Sequence, residues 1–95
     1  MPAMKPKDVQ QNLQSIPKWS RRAKTLVRTY QFKTFIDGLK FVTQIAKRAE
    51  KIQHHPDIDI RYNKVSLSLT THDEGGLTEK DFAMAQHCDE AFAKR

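Results

Sequence analysis

The sequence predicts a single α+β domain at residues 1–95. A four-stranded antiparallel sheet carries three helices on one face, in the order α-β-β-α-β-β-α. Three observations support this fold class. The 95 residues suffice for one small core. Apolar residues recur at helical spacing in three segments, and the segments between them are alternating or rich in β-branched and aromatic residues. We expect residues 1–5 to form a disordered tail.

The first helix is expected to begin at Pro6, because the first helical position does not need the N–H that proline lacks. Three apolar residues follow at helical spacing and end before a proline, namely Val9, Leu13 and Ile16. Two extended segments are expected around Trp19. The β-branched and aromatic content of residues 26–32 favours a strand there.

The second helix is the longest predicted element. Thr34 and Asp37 match the capping pattern that opens a helix. Apolar residues then recur at steps of four and three, as a core-facing helix requires: Phe35, Leu39, Val42, Ala46 and Ala49. Pro56 must end this helix, so His54 and His55 are expected at its C-terminal end or just beyond it.

Two further strands are predicted from alternating apolar and polar residues. The apolar positions are Ile58, Ile60 and Tyr62 in one strand and Val65, Leu67 and Leu69 in the next. Asn63-Lys64 is predicted to form the tight turn between them. Because the apolar side of the second strand should face the helices, His72 is expected on the polar side of the sheet or at its rim.

A last helix is predicted after Gly75-Gly76, with Thr78 and Asp81 as its capping pair. Its other notable residues are Phe82, Ala85, Cys88, Asp89 and Phe92. Cys88 is the only cysteine, so the chain cannot form an intrachain disulfide, which fits a reducing compartment. A single thiol on a helix face favours a structural role over a reactive one.

The composition argues against several classes of protein. Hydrophobic residues make up 38% and charged residues 29%, as in ordinary globular domains. No apolar run approaches the roughly 20 residues that a membrane-spanning helix needs. The N-terminus lacks the apolar region of a secretory signal. We therefore expect a cytoplasmic protein without a membrane partner.

The charge of the chain is unevenly distributed. Residues 1–48 hold eleven basic and two acidic side chains, whereas residues 49–95 hold six basic and nine acidic ones, which gives +9 and −3. Such a basic half can face phosphates or steer an anionic partner, or it can simply be solvated. Zinc-finger spacing, a glycine-rich phosphate loop and an aromatic RNA-binding signature are all missing. The sequence therefore does not favour nucleic acid as a partner.

Three of the four histidines lie in two short segments at expected element boundaries, His54-His55-Pro56 and Thr71-His72-Asp73. Histidine exchanges protons near neutral pH, because its ordinary pKa is about 6.5. A metal site is disfavoured, since adjacent residues of an extended segment point in opposite directions. His87 lies in the middle of the last helix and is interpreted as a surface or packing residue.

General acid–base catalysis needs only one or two imidazoles near a substrate and a carboxylate that orients them. Glu50 precedes His54 by about one helical turn and is a candidate for orienting it. Asp73 and Asp81 are further candidates. A simpler interpretation stays open, in which His54 and His55 only end the helix, where positive charge favours the negative end of the helix dipole.

The histidine segments belong to a longer pattern that resembles the pterin-4a-carbinolamine dehydratases. The residues that carry the resemblance are Glu50, His54, His55, Pro56, Tyr62, Val65, Thr71, His72, Asp73, Gly76, Leu77, Thr78 and Asp81. The similarity also includes Trp19 and the segments 32–35 and 41–50, and it extends over residues 9–92.

This resemblance implies a specific reaction, the loss of water from 4a-hydroxytetrahydropterin to give quinonoid dihydropterin. The product is then reduced, so the enzyme recycles the cofactor of aromatic amino-acid hydroxylases and needs no cofactor of its own. By resemblance, His54 and His72 are the catalytic acid–base pair and Glu50 orients His54. The residues expected at the substrate are His55, Pro56, Trp19, Thr71, Asp73 and Asp81.

The resemblance also implies a homo-oligomer, typically a tetramer built from dimers that join their sheets edge to edge. Relatives of this family include dimerisation partners of a homeodomain transcription factor and proteins that assist the assembly of carbon-fixing enzymes. A non-catalytic binding module is therefore the alternative function, and it would use the first and last helices rather than the histidines.

Overall fold

Three helices and four strands alternate along the chain in the predicted order. The computed structural model describes residues 2–95. Its elements are α1 (Pro6–Leu13), β1 (Ser20–Arg22), β2 (Thr25–Gln31), α2 (Phe35–Ile52), β3 (Asp57–Arg61), β4 (Lys64–Leu69), a short 3₁₀ turn (His72–Glu74) and α3 (Glu79–Ala93). The predicted fold class, one α+β domain with a four-stranded antiparallel sheet, is confirmed.

The sheet has the strand order β1-β2-β4-β3, and every neighbouring pair is antiparallel. Val65, Leu67 and Leu69 of β4 are fully buried, as their alternation predicts. Tyr30 of β2 and Ile60 of β3 both pair with Val65, so all three side chains lie on the face that the helices cover. The opposite face carries hydroxyl groups, among them the hydrogen-bonded pair Thr29 and Ser66.

Aromatic rings fill the core between β2, α2 and α3. Tyr30 lies with its ring centroid 4.8 Å from Phe41 and 4.9 Å from Phe92, and Phe32 lies 5.2 Å from Phe41. Such tilted pairs add a favourable interaction to the burial of apolar area. Gly38 of α2 packs directly on this layer, since a Cβ there would meet Val65 at 3.4 Å and Phe32 at 3.5 Å, which are ordinary packing distances.

The core-facing side of α2 differs from the predicted one. Its buried residues are Gly38, Phe41, Ile45 and Ala49. Of the predicted stripe only Ala49 is buried, whereas Phe35 is 44% exposed and Ala46 is exposed. The prediction was wrong because two apolar stripes run along this helix, and the one that contains Phe41 and Ile45 is the buried one.

Two element boundaries also differ from the prediction. α1 ends at Leu13 rather than just before Pro17, although Ile16 is still buried. The hairpin turn is Tyr62-Asn63, one residue earlier than predicted, because Arg61 pairs directly with Lys64. Asn63 fixes this turn, since its backbone C=O accepts the N–H of Phe32 and its side-chain amide donates to the Phe32 C=O.

The segment before α1 contacts the rest of the domain. Residue 1 of the expected disordered tail lies outside the described residues. Met4 is half-buried, and its N–H donates to the C=O of Leu77 at 2.7 Å. Ala3 lies so close to Gly76 that a Cβ on this glycine would be 3.3 Å from the Ala3 methyl group. None of the helices formed by residues 2–95 is long and apolar enough to cross a membrane.

Candidate active site

The centre of the candidate site is a buried histidine–carboxylate pair. His54 is only 9% exposed, and its Nε2 lies 2.6 Å from Oδ1 of Asp81, which is fully buried. The two residues come from different elements, since His54 follows α2 and Asp81 lies in the first turn of α3. A carboxylate bound to one ring nitrogen fixes the orientation of the imidazole and leaves the other nitrogen, Nδ1, for a substrate.

The second oxygen of Asp81 is bound within the fold. Oδ2 accepts the hydroxyl hydrogen of Thr71 at 2.8 Å and the backbone N–H of Thr78 at 2.9 Å. The bond to Thr78 is half of the predicted capping box of α3, which is confirmed. Asp81 therefore both caps α3 and holds His54. Because all three of these contacts are buried, the carboxylate cannot turn away from the histidine.

Glu50 binds His55 and not His54. Its Oε2 lies 2.5 Å from Nε2 of His55, and both side chains are largely exposed. The prediction that Glu50 orients His54 is therefore wrong. The predicted opposite orientation of the two neighbouring histidines is confirmed, since one is buried toward α3 and the other is exposed beside α2.

The end of α2 explains why the histidines separate. Gln53 is the C-terminal capping residue and adopts a left-handed conformation, with φ 55° and ψ 45°. Non-glycine residues adopt this conformation rarely, and helices use it to reverse the chain. The N–H of His54 then donates back to the C=O of Ala49. The chain turns sharply here, so that consecutive side chains leave in different directions.

His72 lies at the end of the sheet where the other two histidines lie. β3 begins at Asp57 and β4 ends at Leu69, and Asp57 pairs with Ser68, so both histidine segments leave the same end of the sheet. Thr71 pairs with Gly76 in an isolated bridge and closes the loop that carries His72 and Asp73. These two residues are exposed in the 3₁₀ turn. His72 therefore lies at the rim, as expected.

The structure does not bring Trp19 together with the histidines. Its indole N–H donates to Asp89 Oδ1 at 3.0 Å, and the ring packs edge-on against Tyr30. Asp89 lies eight residues after Asp81 on α3, which is about 12 Å along a helix. Pro56, by contrast, directly follows the two histidines and is partly buried.

Asp89 organises a second polar cluster on α3. Besides Trp19, its Oδ1 accepts from the guanidinium of Arg28 at 2.5 Å and from the hydroxyl of Tyr30 at 2.5 Å. The Arg28 guanidinium also lies 4.1 Å from the centroid of the Tyr30 ring. Burial, together with the bond to Asp89, raises the pKa of Tyr30 far above its usual value, so its hydroxyl group stays protonated.

Two other titratable groups on α3 agree with the sequence interpretation. Burial raises the pKa of the Cys88 thiol to about 12, so it stays protonated and unreactive at neutral pH, as a structural thiol should. Burial and the nearby Arg48 lower the pKa of His87, which is partly exposed on the helix. Within residues 2–95, no three His, Cys, Asp or Glu side chains cluster closely enough to hold a metal ion.

Three concavities on the surface lie away from the histidines. One groove of about 580 Å³ lies between the start of α2 and the end of the chain, and two smaller ones lie beside the segment before α1. None of these three concavities includes His54 in its lining. We assign the site by its chemistry, because the histidine end of the sheet brings together histidines and a buried carboxylate from different elements, and histidine is the side chain that most often transfers protons in catalysis.

Sequence reasoning found most of these residues but missed two features. Thr78 was assigned only to the helix cap, yet its hydroxyl group also bonds to that of Thr71 at 2.9 Å. The left-handed Gln53 was not foreseen. A polar residue between a helix and the pair His54-His55 was the available signal, because a chain that must stop before Pro56 needs a reversal there.

Fold and site together define a class of protein: a small α+β domain in which a carboxylate at a helix start holds a buried histidine at the end of an antiparallel sheet. Comparison with known proteins agrees with this description. The family model described as pterin 4 alpha carbinolamine dehydratase matches residues 2–91. The chain belongs to this family.

Relatives and a solved structure show how close the similarity is. A protein of Chloroflexus aurantiacus, provisionally named a pterin-4-alpha-carbinolamine dehydratase, is 50% identical over 90 residues, or 95% of this chain and 97% of the relative. A protein of the same provisional name from Thermomicrobium roseum is 55% identical over 74 residues, or 78% and 80% of the two chains. A transcriptional coactivator/pterin dehydratase from Brucella melitensis, known from a crystal structure, is 31% identical in sequence to this chain. The two structures superpose with a TM-score of 0.90 over 94% of this chain and 97% of the Brucella chain.

Proposed function

We propose that this chain removes water from 4a-hydroxytetrahydropterin by histidine acid–base catalysis, giving quinonoid dihydropterin. The observation that carries the proposal is the pair His54–Asp81, which is buried at the end of the sheet where His72 also lies. Family membership supports the reaction type. An imidazole that a carboxylate holds in one orientation is suited to such a proton transfer.

The chemistry needs two proton transfers and no other reactant. The bond between C4a and its hydroxyl oxygen breaks, and that oxygen takes a proton from a general acid and leaves as water. N5 gives its proton to a general base, and the electron pair of its N–H bond forms the double bond between N5 and C4a. We assign these two roles to His54 and His72. Asp81 holds His54 by Nε2, so Nδ1 is the atom that meets the substrate.

The remaining residues of the site are assigned to binding. His55 is exposed and held by Glu50, so it is suited to accept or donate a hydrogen bond at the pterin ring. Pro56 follows His55 and Asp73 follows His72 in the chain, and we assign both to the rim of the site, while Thr71 supports the site through Asp81. The pterin is the substrate, and we propose that no further cofactor takes part. Recycling of the pterin in this way would serve an aromatic amino-acid hydroxylase, which uses it as a cofactor.

We further propose that copies of this chain assemble into a tetramer through α2 and the β3 edge of the sheet. Large apolar side chains are exposed there: Phe35 at 44%, Ile36 at 55%, Ile58 at 37% and Ile60 at 38%. β3 is an edge strand whose free N–H and C=O groups can pair with a second strand. Light scattering of the wild type beside Ile36→Glu tests this proposal, because a monomeric wild type would contradict it.

The same exposed surface supports the second candidate function, a non-catalytic binding module. The solved relative from Brucella melitensis is titled both a transcriptional coactivator and a pterin dehydratase. In that case the exposed apolar surface of α2 and β3, rather than the histidines or the first and last helices expected from the sequence, would carry the function. A specific protein captured by the wild type and lost with Ile36→Glu would favour this alternative, provided that the chain also lacks dehydratase activity.

The direct test is a stopped-flow absorbance assay of 4a-hydroxytetrahydropterin breakdown. We expect the wild type to accelerate the reaction and His54→Ala to lose about 10²–10⁴-fold of that acceleration, as removal of a general acid or base usually does. His72→Ala should lose a similar factor. His87→Ala is the matched control, because His87 lies outside the site and should leave the rate unchanged. No acceleration by the wild type, or full activity of His54→Ala, would reject the proposal.

A further inference from the structure

The segment before α1 lies against the loop of the candidate site. We call its residues 2–4 the strap. The backbone N–H of Met4 donates to the C=O of Leu77 at 2.7 Å, and the Met4 side chain packs against the core. Ala3 lies beside Gly76, where a Cβ would be 3.3 Å from the Ala3 methyl group. The strap therefore contacts two consecutive residues of the segment that leads into α3.

Gly76 also closes the loop that carries His72. Its backbone exchanges two hydrogen bonds with Thr71, at 3.2 and 3.3 Å. Between these two residues the chain reverses at Gly75, which has a left-handed φ of 71°. The four residues within the loop are exposed, whereas Thr71 and Gly76 at its ends are buried. The position of His72 therefore depends on how firmly the two ends are held.

The two ends of the loop are held from opposite sides. On one side, the Thr71 hydroxyl donates to Asp81 at 2.8 Å, within the cluster that also binds the buried histidine. On the other side, the strap holds the segment after the bridge. Consecutive residues of an extended chain point their C=O groups in opposite directions. Gly76 faces Thr71, so the C=O of Leu77 faces away from it and accepts the Met4 N–H.

Building on the proposed dehydratase function, we propose that the strap positions His72. It acts through Gly76 and Leu77, and it keeps the imidazole where that group can exchange a proton with a substrate bound beside His54. A misplacement of about 1 Å in a reacting group can cost about 10²-fold in rate. Release of the strap should therefore lower kcat much more than it changes KM.

The first experiment releases the strap without any substrate present. Met4→Pro removes the N–H that donates to Leu77, because proline has none. Met4→Leu is the matched control, since it keeps both the N–H and an apolar side chain. Amide hydrogen exchange at Gly76 should be at least about tenfold faster in Met4→Pro than in the control. Equally slow exchange in both variants would overturn the proposal.

The second experiment compares the same two variants in the stopped-flow dehydratase assay. We expect kcat of Met4→Pro to fall at least about fivefold, while its KM stays within about threefold and Met4→Leu retains the wild-type kcat. An active wild type whose kcat is unchanged in Met4→Pro would refute the role of the strap alone. A wild type without activity would reject the proposed function, and the role of the strap with it.

A disulfide should return the released strap to its place. Ala3→Cys/Gly76→Cys puts two Cβ atoms 3.3 Å apart, close to the range of about 3.5–4.5 Å in disulfides. Burial raises the pKa of the Cys88 thiol to about 12, so Cys88 should not compete. Added to Met4→Pro, the oxidised pair should restore kcat to within about twofold of the wild type, and dithiothreitol should lower it again. A pair that does not crosslink, or an oxidised protein as slow as the reduced one, would contradict the proposal.

Discussion

Two carboxylates on α3 are each bound by several donors, but the two groups of donors have different chemistry. Asp81 binds an imidazole, a hydroxyl group and a backbone N–H. Asp89 binds an indole N–H, a guanidinium and a phenol. Both lie on one helix and connect it to distant parts of the chain. The partner, rather than the carboxylate, therefore decides whether such a cluster can move protons.

The Asp81 cluster contains a histidine, the side-chain type that serves most often as a general acid or base. His54 binds Asp81 through Nε2 and keeps its other ring nitrogen free of Asp81. In the Asp89 cluster no donor changes its charge near neutral pH. The guanidinium of Arg28 stays charged, the indole of Trp19 stays neutral, and the raised pKa of Tyr30 keeps its phenol protonated. We infer that the first cluster serves catalysis and the second stabilises the packing of α3 on the sheet.

The largest effect on stability is expected from breaking the Asp89 cluster. Asp89→Ala leaves Arg28, Tyr30 and Trp19 without their shared acceptor in a partly buried place. We expect the free energy of unfolding to fall by about 3 kcal/mol, as measured by urea denaturation. Asp59→Ala is a suitable control, because its ion pair with Arg61 is exposed and should contribute less than about 1 kcal/mol. A loss no larger than the control's would contradict a stabilising role.

A smaller effect is expected from the exposed histidine–carboxylate pair. Glu50→Gln keeps the shape of the side chain but removes the charge beside His55, and both residues are largely exposed. Water replaces such an exposed partner easily, so we expect kcat/KM of the dehydratase reaction to fall less than about threefold. A loss as large as that of His54→Ala would mean that Glu50 belongs to the proton-transfer machinery after all.

The smallest effect concerns His87, which lies on α3 between the two carboxylates. Burial and Arg48 lower its pKa in the folded state below the ordinary value of 6.5. The unfolded chain therefore binds this proton more readily, and stability is lost as the pH falls below about 6.5 toward the folded-state pKa. Two further residues change the pKa of His87 more weakly: Glu90 raises it and Lys94 lowers it.

His87→Gln should remove the loss of folding stability that this histidine causes at acidic pH. Urea midpoints measured at pH 7.5 and 5.5 should differ less in the variant than in the wild type. An unchanged difference would contradict the lowered pKa. Since the comparison is made between two proteins at the same two pH values, the contributions of the other titratable groups cancel.

Local patterns in the sequence predicted the elements of the fold well. The element order, the Thr34 and Thr78 caps and the buried face of β4 were all predicted, because each depends on residues close together in the chain. The core-facing side of α2 was not. Helical periodicity identifies an apolar stripe, but in a helix with two such stripes the packing of the whole domain decides which one is buried.

The same limit applies to the candidate site. The sequence singled out His54, His55 and His72, and the structure brings their segments to one end of the sheet. The pairing of the carboxylates was wrong, because Glu50 is the near neighbour of His54 in the chain while its actual partner, Asp81, is 27 residues away. The left-handed reversal at Gln53, for which the nearby Pro56 was the only signal in the sequence, turns His54 toward α3.

The most direct test of the division between the two clusters is kcat/KM for 4a-hydroxytetrahydropterin breakdown in Asp81→Asn beside Asp89→Asn, measured where both variants are folded. Each substitution removes one carboxylate charge from α3. We predict that Asp81→Asn loses about 10²-fold, because His54 loses the carboxylate that orients it, while Asp89→Asn stays within about twofold of the wild type. Equal losses, or a larger loss in Asp89→Asn, would contradict the assignment of proton transfer to the His54–Asp81 pair.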